Sequence, residues 1–263
     1  MGTRSRWLAG VAGLLLAARA ATAAEIRVVS SGGLSAAFRQ LAPQFERATG
    51  NKLVVGWGPS MGTTDNAIPV RFQRGDAMDV VIMVGSALGD LVKQGKVVAD
   101  SRVDLARSEI GVVVKKGAPK PDLSTADAVK RALLQARSIA YSDSASGVYV
   151  STEMFQRLGI ADQVKGKSRM IPAEPVARVV ARGEAEIGFQ QVSELLPVPG
   201  VDFVGKLPPE LQKVTVFSAG VVAGSKVPRE ARALVAFLAS ADAAPVLARS
   251  GLDPIAGRGA EVR

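Results

Sequence analysis

Ile26-Arg27-Val28-Val29-Ser30-Ser31-Gly32-Gly33, followed by apolar residues at Leu34, Ala37, Phe38, Leu41 and Phe45, is the stretch that decides the fold. Its opening is a short β-type run, the Ser/Gly tetrad turns the chain, and the apolar spacing covers one face of a helix that Gly50 ends. The same grammar recurs at once. Leu53-Val54-Val55 predicts a strand, residues 56–62 a loop, and Ile68 and Phe72 a short helix up to Gly75. Residues 79–84 are apolar from Val80 onward, as a strand buried on both faces requires, and Gly85-Ser86 opens a helix through Leu88, Leu91 and Val92.

The middle third carries its own set of elements. Residues 109–114, 139–141, 169–171 and 186–189 read as strands; Ser124 with Asp127 three residues later caps a helix to Gln135, and further helices span 148–158 and run up to Arg182. Pro197, Pro199, Pro208 and Pro209 mark irregular chain, and the last long β-type run, Lys213 to Val222, precedes helices at 228–239 and 242–249. Alternating strands and helices predict an α/β architecture with mixed, mainly parallel sheets flanked by helices. The C-terminal helices lack the strands for a separate domain. Two lobes follow: the first from residues 24–108 and 219–263, the second from 109–218, with crossings near Ser108-Glu109 and Ser218-Ala219 and a cleft between.

Composition limits the chemistry. The 263 residues include no Cys and no His, which excludes thiolate nucleophiles, Cys/His metal sites and Ser-His-Asp devices. Arg4 and Arg6, the apolar run from Trp7 to Ala18, and Ala21-Thr22-Ala23 predict a secretory signal in residues 1–23, cleaved after Ala23. A freely diffusing periplasmic monomer is expected. The formal charge of +9 falls to +6 once Arg4, Arg6 and Arg19 leave with that segment. Without a Lys/Arg block interleaved with aromatics, this charge favours a small anion over nucleic acid as partner.

Four loops follow predicted strands, where open α/β sheets hold their ligands. They are residues 30–33, 58–62, 142–147 and 172–175, and their small residues let backbone N–H groups, hydroxyls and helix N-termini converge on negative charge. No metal or cofactor is called for. Asp143 and Glu174 are the candidate bases in these loops, with Tyr149 as a proton relay. Arg71, Arg107 and Arg178 are the candidate carboxylate clamps, and Trp57 either walls the pocket or joins the core.

The segments Val28-Val29-Ser30-Ser31-Gly32, residues 71–82, Asp143-Ser144-Ala145-Ser146-Gly147-Val148-Tyr149 and residues 175–189 resemble the periplasmic molybdate-binding, ModA-like proteins. The resemblance spans the chain after the signal and implies the two-lobe type II periplasmic-binding-protein fold. It also implies ligand contacts from Ser31, Gly32, Ser60, Met61, Ala145, Ser146, Gly147 and Val176. The family places a Tyr after the strand at 186–189; Gln191 stands there instead. In the loops at 56–62 and 82–88 the chain is similar to a subgroup, the periplasmic aconitate isomerases, which implies cofactor-free interconversion of trans- and cis-aconitate. The alternative is a non-catalytic receptor that delivers molybdate or another small anion to the membrane component of an ABC importer; a sensory module is a third.

Overall fold

The computed structural model describes residues 23–255, so all but the last residue of the expected signal segment lies outside the described residues. Strand β1 (Glu25–Ser30) passes through one tight turn into α1 (Ser35–Thr49), which buries Ala37, Phe38, Leu41 and Phe45 and stops at Gly50. β2 (Lys52–Trp57), α2 (Ile68–Arg74), β3 (Val80–Val84) and α3 (Gly85–Lys93) repeat the unit. β4 (Val103–Ser108) is followed at once by β5 (Ile110–Lys115), α4 (Ala126–Gln135) and β6 (Ile139–Ser142). α5 (Ala145–Tyr149) continues through a π-helical turn (Val150–Met154) into α6 (Phe155–Arg157), then α7 (Ala161–Lys165), β7 (Ser168–Ile171) and α8 (Val176–Ala181). β8 (Ile187–Gln191), α9 (Val192–Leu195), β9 (Val201–Lys206), β10 (Thr215–Val221), α10 (Pro228–Leu238), α11 (Ala244–Arg249) and β11 (Asp253–Pro254) complete the described chain.

These elements build two sheets, a six-stranded one in the order β11-β4-β10-β3-β1-β2 and a five-stranded one in the order β7-β6-β8-β5-β9. Each is packed on both faces. In the first, Phe38, Phe45, Leu234 and Leu247 meet Phe217 on one side, while Ile68, Met83 and Leu88 fill the other. In the second, Val129, Met154 and Phe155 oppose Val176, Val180 and Leu195. Each fully buried Leu or Phe contributes about 2 kcal/mol, so both lobes have cores able to hold their loops in place.

The structure corrects the sequence reading in several places. The sheets are mixed, but five of their nine pairings are antiparallel, so they are not mainly parallel. The cause is the double crossing: β5 and β10 each enter a sheet from the other lobe and run against their neighbours. β10 lies wholly in the first sheet from Thr215, so the return precedes the expected crossing at Ser218-Ala219. Thr125, not Ser124, caps α4, its hydroxyl accepting from Ala128 N–H at 3.1 Å. The helix expected from residue 148 starts at Ala145. β4 is a strand that the sequence reading lacks, and β9 runs through the segment that its flanking prolines mark as irregular.

Candidate functional site

The parallel register decides which loops meet. Ser30 pairs with Trp57 across β1 and β2, which sets the loops after both strands side by side at one end of the first sheet. In the second sheet Tyr141 pairs with Phe189 across β6 and β8, bringing Asp143 and Gln190-Gln191 to one end. The two ends face each other across a cavity of about 290 Å³, near the lower limit of small-molecule pockets.

Ser31, Gly32, Ala145, Ser146, Asp143, Glu174, Arg178 and Gln191, all singled out from sequence, line this cavity. Trp57 lines it too and belongs to the core as well, packing edge-on to Phe38 with ring centroids 6.1 Å apart. Gln191 Nε2 donates to Thr215 Oγ1 at 3.0 Å, tying β8 to β10 of the other lobe, while its Oε1 is buried without a partner. An orphaned buried acceptor at a cavity wall is rare and marks a place for a further polar contact.

Other expected residues lie elsewhere. Ser60 is fully buried behind the cavity, where its Oγ accepts from Val84 N–H at 3.0 Å; Met61 lines a separate hollow. Gly147 is structural: a β-carbon there would stand 1.7 Å from the Ser142 carbonyl, and its N–H donates to Ser142 Oγ at 3.2 Å. Val176 gives its N–H to Gln190 Oε1 at 2.9 Å. Tyr149 is turned into the second core, its phenol donating to the Leu211 carbonyl at 2.8 Å, which removes it as a relay in the cleft. Arg107 lies near Asp253, at 3.6 Å, and Arg71 leans on the Asn66 carbonyl and Asp76; neither lines the cavity.

Two charged lining residues escape the sequence reading, beside the uncharged Ser35, Asn66, Val84, Gln190 and Phe217. Arg39, on the first turns of α1, lies with its guanidinium carbon 4.7 Å from the centre of the Trp57 ring. The second is Glu194, on α9. Burial strips water from its carboxyl and, helped by the nearby charge of Asp143, pushes its pKa up to about 7 against the downward pull of a hydrogen bond from Gln190. Glu174 is the opposite case. Both of its oxygens accept from Arg182 at 3.0 Å, and that pairing lowers its pKa. Neither Arg39 nor Arg178 is within ion-pair distance of a carboxylate among the described residues.

The cavity therefore offers two uncommitted guanidiniums, several serine hydroxyls and a partly desolvated carboxyl. That combination can hold a compact polyanion and move a proton on it.

Comparison with known proteins gives four findings. The family described as bacterial extracellular solute-binding protein matches residues 26–253. An aconitate isomerase from Pseudomonas sp is 53% identical over 241 residues, 92% of this chain and 91% of that protein. The molybdate-binding protein ModA of Azotobacter vinelandii is 30% identical over 189 residues, 70% of each; a solved periplasmic molybdate-binding protein from that organism superposes with a TM-score of 0.68 at 21% identity, covering 86% of this chain and 98% of that one.

Proposed function

The chain belongs to the bacterial extracellular solute-binding proteins, and from that premise we propose that it is an aconitate isomerase, interconverting trans- and cis-aconitate in the cleft between its lobes. The observation that carries this reading is the pair Arg39 and Arg178, both unpaired among the described residues, on opposite sides of one cavity. A receptor for a tetrahedral oxyanion is satisfied by hydroxyls and backbone N–H groups. Here the Val176 N–H is already engaged by Gln190, and two guanidiniums offer the bidentate forks that carboxylates fit.

The reaction asks little else of the protein. A base takes a proton from the methylene of the propene tricarboxylate, and the electron pair spreads through the double bond onto a carboxylate. Return of the proton to the far carbon leaves the double bond shifted, with no change of oxidation state. Arg39, Arg178 and the serines hold the carboxylates, while a cleft carboxylate carries the proton.

Export through the segment 1–23 gives a periplasmic enzyme acting on a small anion. Among the described residues no helix is long and apolar enough to cross a membrane. Incubating residues 24–263 with trans-aconitate and following cis-aconitate tests the activity. The expected result is equilibration of the two isomers. Absence of turnover, together with a large rise in melting temperature on adding molybdate, contradicts it and favours hand-over of an oxyanion to an ABC importer.

A further inference from the structure

Three carboxylates line the cavity, and their surroundings separate them. Glu174 is committed to Arg182 through both oxygens. Asp143 serves to position a loop, since its Oδ2 accepts from Ala173 N–H at 3.1 Å and so pins a residue with φ +60°, the one non-glycine at positive φ among the described residues. Glu194 has neither an ion-pair partner nor a backbone donor among the described residues; only the Gln190 amide reaches it.

The position of Glu194 is also tightly built. A β-carbon on Gly32 would stand 2.2 Å from Glu194 Oε1, so this loop of the first lobe is shaped around the carboxylate. α9 itself is clamped to the first lobe. Ser193 Oγ donates to the Gly33 carbonyl at 2.7 Å, and Leu196 and Val192 pack so closely on Gly251 that a β-carbon there would lie 2.8 Å and 2.9 Å from them. The carboxylate is thus fixed at the seam of the lobes, inside the ligand cavity.

We propose that Glu194, rather than Asp143 or Glu174, is the group that removes the methylene proton and returns it to the far carbon. The proposal rests on the isomerase reading. In the first half-step a C–H bond breaks and an O–H bond forms on Glu194, with the electron pair delocalised onto the substrate carboxylate. In the second the O–H bond breaks, a C–H bond forms at the other end of the allyl unit, and Glu194 is regenerated. One group serves both directions, which suits a carboxyl that burial has brought near neutrality. The other charged groups on the same cavity are Asp143 from the loop after β6, Glu174 and Arg178 from the chain around the start of α8, and Arg39 from α1.

The test compares wild type, E194Q, E194D and D143N in turnover of trans-aconitate across pH. Wild type should lose kcat/KM as pH falls through about 7, where Glu194 takes up its proton. E194Q should lose about 10³-fold in kcat with an unlowered melting temperature, and E194D should regain part of that loss together with the acid limb. D143N should stay within about tenfold of wild type, with its acid limb moved to lower pH because the like charge that raises the Glu194 pKa is gone. Should E194Q fail to fold, E194D carries the test: a carboxylate of shorter reach should lower kcat by more than about tenfold while keeping the acid limb, and an unchanged kcat overturns the assignment. An active wild type whose E194Q variant keeps more than about a tenth of its kcat overturns the assignment alone. An inactive wild type overturns the isomerase reading, and this assignment with it.

Discussion

The lobe built on the six-stranded sheet brings Ser31, Ser35, Arg39 and Trp57 to the cavity and no acidic side chain; the lobe built on the five-stranded sheet brings Asp143, Glu174 and Glu194, with Arg178 among them. On the proposed reading one wall of the cleft is a clamp for carboxylates, and the other adds Arg178 to that clamp and holds the single proton carrier, Glu194. Fold alone does not distinguish a receptor from an enzyme. The difference lies in what stands on the second wall: a carboxyl without an ion-pair partner, next to a like charge and short of water, has a place in moving protons but costs a receptor for anions both affinity and stability.

That cost gives the largest expected effect. The folded protein holds the Glu194 proton more tightly than the unfolded chain, since its pKa is raised from 4.5 to about 7. The folded state is therefore favoured at low pH, and this contribution is lost as pH rises through about 7, to the extent of roughly 3 kcal/mol at most. E194Q removes the loss. Its stability in urea should exceed that of wild type at about pH 8, with the gain shrinking to nothing near pH 4. A constant difference across this range would mean that Glu194 keeps an ordinary pKa.

The clamp side is tested by Arg39→Ala, which should raise KM for trans-aconitate about 30-fold, equivalent to ~2 kcal/mol, while kcat changes only a few-fold. An equal fall in kcat would place Arg39 in the transition state and blur the division between the walls. Tyr149→Phe, which takes a hydrogen bond from the second core, should cost about 1 kcal/mol of stability and leave both kinetic constants unchanged. Smallest of all, Glu174→Gln should alter kcat less than about twofold, because its carboxylate is a partly exposed partner of Arg182.

How far this division is legible in the sequence depends on the signal each residue leaves. The apolar run of β3 and the helical spacing of α1 announce themselves because every one of those positions faces a core. β9 does not, since its residues are half-buried almost throughout and show no alternation. Arg39 falls on the exposed face of α1, where it reads as a solvated charge until the pairing of β1 with β2 brings Trp57 beneath it. Glu194 sits on a helix of four residues, too short for a periodic pattern, and approaches Gly32 from 162 positions away in the chain. Asp143 and Glu174 are visible because their loops carry Ser, Gly and Pro; that composition reveals a loop, not which carboxylate in it is free. Ser60 and Val176 show the converse, since residues of the expected type at the expected place are engaged by Val84 and Gln190.

Titration calorimetry with trans-aconitate on Arg39→Ala and E194Q, side by side at neutral pH, tests the division of the cleft most directly. Arg39→Ala should bind about 30-fold more weakly than wild type, and E194Q should bind within about threefold of it while failing to isomerise the ligand. Undiminished binding by Arg39→Ala, or a collapse of affinity in E194Q, would contradict the assignment of holding to Arg39 and of proton transfer to Glu194.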